Sequence, residues 1–563
     1  MTATRILPGT AHGPVLALDQ GLSFWGGVDP DTARIIDAHH PAYGAELDGR
    51  VVMMPTSRGS CSGSGVILEM MLNGRAPAAL IFSEPEDIAT LGALIGAQMF
   101  ARTLPVLRVG ADDFALLARA GWLGIADSAI TGAGISLPVT EPPETALSLS
   151  VDDQAMLAGA DGEATATAMR IVVKAAQMQG AGALTDVTRG HIDGCILANQ
   201  ANLIFAETMA DMGAQVRIPT TINAISVDRE NWVQQGVPLA FGTQAARLAD
   251  AYTRMGCLPT FTCAPYLLRD RPAKAESIAW AESNAVIYAN TVLGARTPKH
   301  ADYLDLCIAV TGRAPLSGVY LDDERRPARV LKIDPPPRAD DSLWPLIGYV
   351  AGLKSPDRIP LLRGLAVLGP RKDDVKALCA AFGTTSAAPM LHIKGLTPEC
   401  RLPLRDGADT LRITRDDLSA AWAELNQGPD QVDLIAIGSP HASADECRRF
   451  TATMNGWPVR IPTIITVGRQ TLAEIGADYT LETLTGLGVQ VITDLCWCSI
   501  TEPVFPGEAR TVMTNSGKYA HYGPGLSGRA LRFGSLADCA AAAVTGRAAA
   551  MPGWLTDERT ADA

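Results

Sequence analysis

Short apolar runs and stretches of helical period alternate along most of the chain. Residues 51–55 (VVMMP), 78–82 and 105–109 are apolar runs of strand length. Between them, residues 66–73, closed by Gly74, and residues 87–100 have the length and pattern of helices. Strands alternating with helices predict a mostly parallel sheet covered by helices. This first unit ends near Val139, and residues 140–145 (TEPPET), polar and interrupted by two prolines, read as a linker. A long helix is predicted over 152–180, many further β/α units follow, and an alanine-rich helix is predicted over 538–550. The expected architecture is α/β throughout, a first β/α unit followed by a larger region of several units with mostly parallel sheets.

Four predicted strands in the larger region stop at residues able to do chemistry. Residues 258–262 run into Cys263, and 432–437 into Gly438-Ser439-Pro440-His441. Residues 489–493 run into Asp494-Leu495-Cys496, and 509–513 into Thr514-Asn515-Ser516-Gly517-Lys518. Open α/β sheets bind ligands beyond the carboxyl ends of their strands. The four ends are therefore expected to line one crevice.

Composition changes this picture in three ways. The length of 563 residues fits three or four domain-sized units, and 47% hydrophobic with 19% charged residues excludes a disordered chain. Against 60 acidic residues stand 47 basic ones, a net charge of -13, with basic spots no longer than Arg325-Arg326 or Arg448-Arg449. A nucleic-acid partner is not expected of such a surface. No apolar run approaches the roughly 18 to 20 residues of a membrane span, and residues 1–13 lack the apolar segment of a secretory signal. A cytoplasmic enzyme is expected. The 11 cysteines are odd in number, scattered, and contain no C-x-x-C pair, which fits neither a disulfide scaffold nor a zinc ribbon. A metal site would have to draw on cysteines distant in sequence.

The sharpest local feature is the loop Ser57-Arg58-Gly59-Ser60-Cys61-Ser62-Gly63-Ser64-Gly65. Backbone N–H groups and hydroxyls ahead of a helix suit an anion, and Arg58 adds a forked donor for a carboxylate. The loop lacks the Gly-Lys-[Ser/Thr] ending of a Walker loop. An equally simple reading makes the serines helix caps. Cys496 and Cys498 form a C-x-C at a strand end, where alternation sends neighbours to opposite faces and only one of the two need reach a site. Cys263 carries the same ambiguity. His441 reads as a ligand, an acid or a helix-start residue, and for a lone histidine a structural role is the simplest. Lys518 and His521 lie in a glycine-bounded loop, where function concentrates. Asp322-Asp323 reads as a solvated turn.

Taken together, these pieces resemble aconitase X, a branch of the aconitase superfamily. The first unit resembles its swivel domain in Ser23-Phe24-Trp25-Gly26-Gly27-Val28-Asp29-Pro30 and Arg58-Gly59-Ser60. The remainder resembles its catalytic part in Thr262-Cys263-Ala264-Pro265-Tyr266, Glu282-Ser283-Asn284-Ala285, Gly294-Ala295-Arg296-Thr297, Gly438-Ser439-Pro440-His441, Thr493-Asp494-Leu495-Cys496 and Thr514-Asn515-Ser516-Gly517-Lys518. The resemblance implies a swivel domain over 1–140 fused to a catalytic domain over 146–563, so that no separate small subunit is needed. It implies an iron–sulfur hydro-lyase acting on a small hydroxy-carboxylate, cis-3-hydroxy-L-proline giving Δ1-pyrroline-2-carboxylate, with mevalonate 5-phosphate or another β-hydroxy acid as the alternative substrate. Archaeal members carry a cysteine where this chain has Ser439. The implied cluster is accordingly held by Cys263, Cys496 and Cys498, with [2Fe-2S] favoured over [3Fe-4S] or [4Fe-4S] and Cys61 as a competing ligand. Ser60 matches the position of the superfamily's serine base; Arg58 and Lys518 are expected beside it. His191, Asn223, Ser283, Asn284, Arg296, Asn515 and Ser516 are expected to bind the substrate. A cluster-free carboxylate-binding or scaffold protein, and more weakly a zinc hydrolase, are the competing readings.

Overall fold

The apolar runs of the first unit close on themselves. In this structure, a computed structural model that describes residues 2–37, 40–58, 60–141 and 147–556, eight strands form a barrel. They are β1 (Ala3–Leu7), β2 (Ala11–Ala17), β3 (Val51–Met54), β4 (Ala79–Phe82), β5 (Val106–Val109), β6 (Trp122–Ile125), β7 (Ala129–Gly132) and β8 (Ile135–Thr140). Their order is β1-β8-β7-β6-β2-β3-β4-β5, with β5 returning to β1. The strands β2 to β5 pair in parallel, β3, β4 and β5 being joined through α1 (Gly63–Leu72) and α2 (Ile88–Phe100). The pairs β2-β6, β6-β7, β7-β8 and β1-β5 are antiparallel. The expected parallel sheet is thus one half of a closed one, and closure leaves no free edge. The expected linker over 140–145 lies largely outside the described residues.

Helix α1 begins at Gly63, three residues ahead of the predicted start, and Gly63 to Met71 are all buried. A helix apolar all round must be covered all round. Its covers are α2 on one side and, on the other, the larger region, where Phe205, Tyr303 and Leu306 share one core with Leu68, Met70 and Leu94. A Cβ at Gly65 would stand 3.0 Å from the Tyr303 hydroxyl, so the glycine lets the two parts touch. The barrel's own interior, with Met53, Ile81, Leu123 and Ile130, is a separate core.

The predicted helix over 152–180 is two helices, α3 (Val151–Leu157) and α4 (Glu163–Met178). Gly159 and Gly162, at φ +86° and +91°, turn the chain between them. Three parallel sheets follow. The first orders β9 (Gly190–Ile192), β10 (Thr220–Ile222) and β11 (Ala279–Trp280) as β10-β9-β11. Residues 258–262 do not form the predicted strand; they add a single bridge, Thr221 to Leu258, in a stretch broken by Pro259. Helix α5 (Ser283–Tyr288) follows β11 after two residues. The second sheet is β12 (Arg329–Ile333), β13 (Pro360–Arg363), β14 (His392–Ile393) and β15 (Asp409–Ile413), covered by α6 (Leu343–Lys354) and α7 (Lys372–Thr385).

The third sheet holds three of the four predicted strand ends. Its strands β16 (Leu434–Ile437), β17 (Thr463–Val467), β18 (Gln490–Thr493), β19 (Thr511–Thr514) and β20 (Ala530–Phe533) run in the order β18-β17-β16-β19-β20, all parallel. Helix α8 (Gly517–Ser527) leaves β19, and α9 (Leu536–Thr545) stops at Gly546, five residues before the predicted end at 550. Among the described residues no helix is long and apolar enough to cross a membrane.

Candidate functional site

Three thiols meet where the first and third sheets face each other. Beyond β18, Asp494 takes a left-handed φ of +69°, and Arg469 holds its carboxylate with two N–H donors at 2.7 and 2.6 Å. The chain then leaves extended geometry: residues 497–499 turn, Ser499 N–H bonds the Cys496 carbonyl at 2.8 Å, and the Trp497 indole donates to Ile437 C=O at 2.8 Å. Strand alternation therefore does not apply: Cys496 meets Cys263 beside Ala224, and Cys498 packs against Cys496 at the edge of the same cluster. The His441 amide donates to Cys263 Sγ at 3.2 Å, and Asn284 Nδ2 fixes the Cys263 carbonyl at 3.0 Å. His441 itself is a core histidine, its ring nitrogens bonded to Thr262 Oγ1 at 3.1 Å and Leu495 C=O at 2.7 Å. Ser439 offers its carbonyl to Ser516.

A chain of polar groups leads away from the thiols. Lys518 Nζ donates to Glu282 Oε1 at 2.7 Å, both side chains nearly buried. Burial opposes ionisation of Glu282, but the Lys518 charge and the Asn284 donors outweigh it and hold the carboxyl down to about 2. Burial would lower Lys518, yet Glu282 and the three thiols keep it well above the ordinary lysine range. Asn223 Nδ2 reaches Glu282 Oε2 at 3.4 Å and Asp193 Oδ1 at 2.6 Å. Asp193 neighbours Asp302, whose carboxyl is pushed up to about 8 by burial and by the charge of Asp305.

The loop of the barrel closes over this chain. The Asp302 amide donates to Cys61 C=O at 3.4 Å, the Ser64 hydroxyl reaches Cys61 C=O at 3.1 Å and Asp302 C=O at 3.3 Å, and Ser62 hydrogen-bonds the Asp302 carboxyl. Ser62 occupies the N-cap of α1 yet makes no side-chain cap bond, so the capping account of this loop fails at the cap itself. Among the described residues, the Ser60 hydroxyl meets Ser62 alone, its Oγ and its amide, at 3.3 Å each. Cys61 is not among the clustered thiols. It lies beside Asp193, Lys299, Asp302 and Glu282, and burial raises its pKa well above the usual thiol value.

Several expected site residues are used elsewhere. Arg58 is exposed and lines an outer cleft of ≈ 400 Å³ with Tyr349, His521 and Tyr522. Tyr522 also senses Lys518, Cys498 and Cys61, so it stands between cleft and thiols. Arg296 donates to Tyr320 C=O at 2.8 Å and pairs with Asp322, which removes it from the site. Asn515 lines an acidic surface pocket with Asp341, Asp373 and Glu446. Ser516 caps α8, its Oγ accepting the Tyr519 N–H at 3.1 Å. Ser283 is buried in the first turn of α5, next to Glu282. His191 is buried and neutral, burial lowering it to about 3; its Nδ1 meets Thr221 Oγ1 at 2.8 Å and, among the described residues, its Nε2 has no partner.

Glu282, Asp193, Asp302 and Lys299 were not among the expected residues. Asp193 follows β9, so the strand-end argument applies to it, but a three-residue strand centred on His191 gives no apolar run to notice. Glu282 is the N-cap of α5, its side chain accepting the Asn284 N–H. Three soft thiols, an amide on one sulfur and an ammonium near all three form a donor set suited to an iron–sulfur cluster. Among the described residues no group of three or more His, Cys, Asp or Glu is arranged to hold a single metal ion.

Comparison with known proteins agrees with this arrangement. The chain is 47% identical to cis-3-hydroxy-L-proline dehydratase of Pseudomonas aeruginosa, over 98% of each chain. It is 46% identical to the Hypocrea jecorina protein of the same name, over 98% of this chain and 97% of that one. The crystal structure of Thermococcus kodakaraensis aconitase X in its holo-form covers 70% of this chain and 100% of its own, with a TM-score of 0.64 and 27% identity. Family models match in order: aconitase X swivel domain at 1–131, first domain at 146–323, second domain at 327–423 and third domain at 432–545. With a swivel loop set over thiols from its first and third domains, the chain belongs to the aconitase X family.

Proposed function

We propose that the protein is a hydro-lyase that dehydrates cis-3-hydroxy-L-proline to Δ1-pyrroline-2-carboxylate, using an iron–sulfur cluster held by Cys263, Cys496 and Cys498. The observation that carries this reading is the meeting of three thiols from two distant segments with the Lys518–Glu282 pair, beneath the barrel loop. Near-full-length identity to two dehydratases of that name supports it. With three thiols and Ser439 in place of a further sulfur, we read the cluster as [2Fe-2S]. When bound, the cluster supplies a Lewis acid for the departing hydroxyl.

The chain's own residues do the rest. Ser60, its own proton first given to solvent, acts as an alkoxide stabilised by the Ser62 amide and hydroxyl beside its Oγ; it takes the Cα proton and becomes a neutral hydroxyl, while the electron pair moves into the Cα–Cβ bond. The 3-hydroxyl departs, and the enamine tautomerises to the imine. Lys518 gives one N–H to Glu282 and keeps two donors for the substrate carboxylate. The swivel loop, lying against Asp302, keeps water from the reacting carbons. Both parts lie on this chain, so no separate small subunit takes part.

Anaerobically reconstituted protein is expected to contain iron and sulfide and to form pyrroline carboxylate from cis-3-hydroxy-L-proline. Cys263→Ser should lose the cluster absorption together with turnover. Dehydration of mevalonate 5-phosphate with no action on hydroxyproline would overturn the substrate; a colourless, iron-free protein that binds hydroxyproline unchanged would overturn the enzyme reading.

A further inference from the structure

The far end of the polar chain holds more carboxyls than its lysines answer. Asp193, Asp302 and Asp305 are 4%, 1% and 1% exposed. Lys518 is bonded to Glu282, and Lys299 Nζ donates to Ser386 C=O at 2.8 Å; among the described residues neither ammonium is bonded to Asp193 or Asp302. Asp305 has local work, accepting the Asp193 N–H at 2.8 Å and the Leu306 N–H at 2.7 Å. Asp193 Oδ1 accepts from Asn223 at 2.6 Å. Asp302 differs: its Oδ1 is enclosed and, among the described residues, has no hydrogen-bond partner. A buried acceptor without a donor destabilises the fold, and such an atom needs an explanation. Of the other titratable groups facing Asp302, Glu282 is an anion that adds to the negative field, and Cys61, Cys195, Tyr252 and Tyr303 are held neutral by burial.

Resting on the reaction proposed above, we propose that Asp302, backed by Asp193, binds the secondary ammonium of the substrate, so that the site selects a β-hydroxy amino acid over a β-hydroxy acid without nitrogen. The ligand's N–H donates to Oδ1 of Asp302, and its charge replaces the proton that the two carboxyls otherwise share, which passes to solvent. Position supports the assignment independently of charge. In the substrate the nitrogen is bonded to the carbon that loses its proton, so the ammonium site and the base must be neighbours. Ser62 is that link, touching Ser60 Oγ at 3.3 Å and hydrogen-bonding Asp302.

The test compares L-proline with (S)-tetrahydrofuran-2-carboxylate, an ether of the same ring and carboxylate, binding to the cluster-loaded protein in isothermal calorimetry at pH 7. Wild type should bind proline about 10- to 100-fold more tightly, the range of a charge-assisted hydrogen bond. It should also release close to one proton per proline, read from buffers of different ionisation enthalpy. Asp302→Asn, with iron content unchanged, should bring the preference within about threefold and abolish the release. If that variant does not fold, Asp193→Asn should lower the preference several-fold. An unchanged preference in Asp302→Asn, equal binding of both ligands by wild type, or binding of neither, overturns the proposal. Binding is read without turnover, so an enzyme inactive on cis-3-hydroxy-L-proline that still prefers proline loses the reaction and keeps the ammonium site.

Discussion

Two serine-bearing loops, one running from Thr56 to Ser62 ahead of α1 and one of Asn515 and Ser516 ahead of α8, share one grammar: each follows a parallel strand and opens a helix. Their hydroxyls are used in opposite ways. Ser516 accepts the Tyr519 N–H at 3.1 Å and donates to Ser439 C=O, so its oxygen is fully engaged in holding backbone. Ser62, at the matching cap position, bonds no helical N–H, and among the described residues Ser60 has only the 3.3 Å contacts to Ser62. The first loop can leave its cap unmade because Ser64 and the main chain dock on Asp302 of another domain. Loop composition thus does not separate structural serines from available ones. The partner of each hydroxyl does.

The sharpest way to break this comparison is to change Lys518, the charged side chain in the first turn of α8, which the second loop opens. Lys518→Met leaves Glu282 buried and unpaired, and equilibrium unfolding should show a loss of about 3–5 kcal/mol, largely recovered in Lys518→Met/Glu282→Gln. Ser60→Ala comes next. Steady-state turnover should fall about 10²- to 10³-fold, with stability within about 0.5 kcal/mol of wild type; normal turnover would return the first loop to a purely structural role. The carboxyl beneath that loop gives a pH test. Asp302 is pushed up to about 8 in the folded protein against about 3.9 unfolded, so the stability it contributes is complete below about pH 4 and lost as pH rises through 8. The advantage of wild type over Asp302→Asn should shrink by at most about 1.4 kcal/mol per pH unit between pH 5 and 8 in denaturant titrations. Ser516→Ala should have the smallest effect, about 1 kcal/mol of stability with turnover within about threefold.

The α/β alternation, the strands at 51–55, 78–82 and 105–109, and the thiols at 263, 496 and 498 were legible because each leaves a local mark: an apolar run, a glycine, a cysteine where a run stops. The closed barrel was not, since pairing of β1 with β5 and β8 is decided by segments about a hundred residues apart. Asp193, Asp302 and Lys299 were invisible for a related reason. Each is an ordinary polar residue until packing removes its water and sets other charges beside it. Arg296 misled in the opposite direction, having the glycine neighbour of a site residue but finding Asp322 nearby. The helix over 152–180 failed on Gly159 and Gly162, which a helical period spanning them conceals.

The barrel's closure also bears on how such a protein can be divided. Strand β1 lies parallel to β8, with Ala3 opposite Val139, so the polypeptide enters and leaves the barrel side by side. Severing it after β8 would break one covalent link and no rung of any ladder. The cut piece would carry its own sealed interior and lose only its tether. What the tether contributes is local concentration, on the order of millimolar for a short connection. Two separate chains would have to replace it with affinity, drawn from the buried faces of α1 and α2.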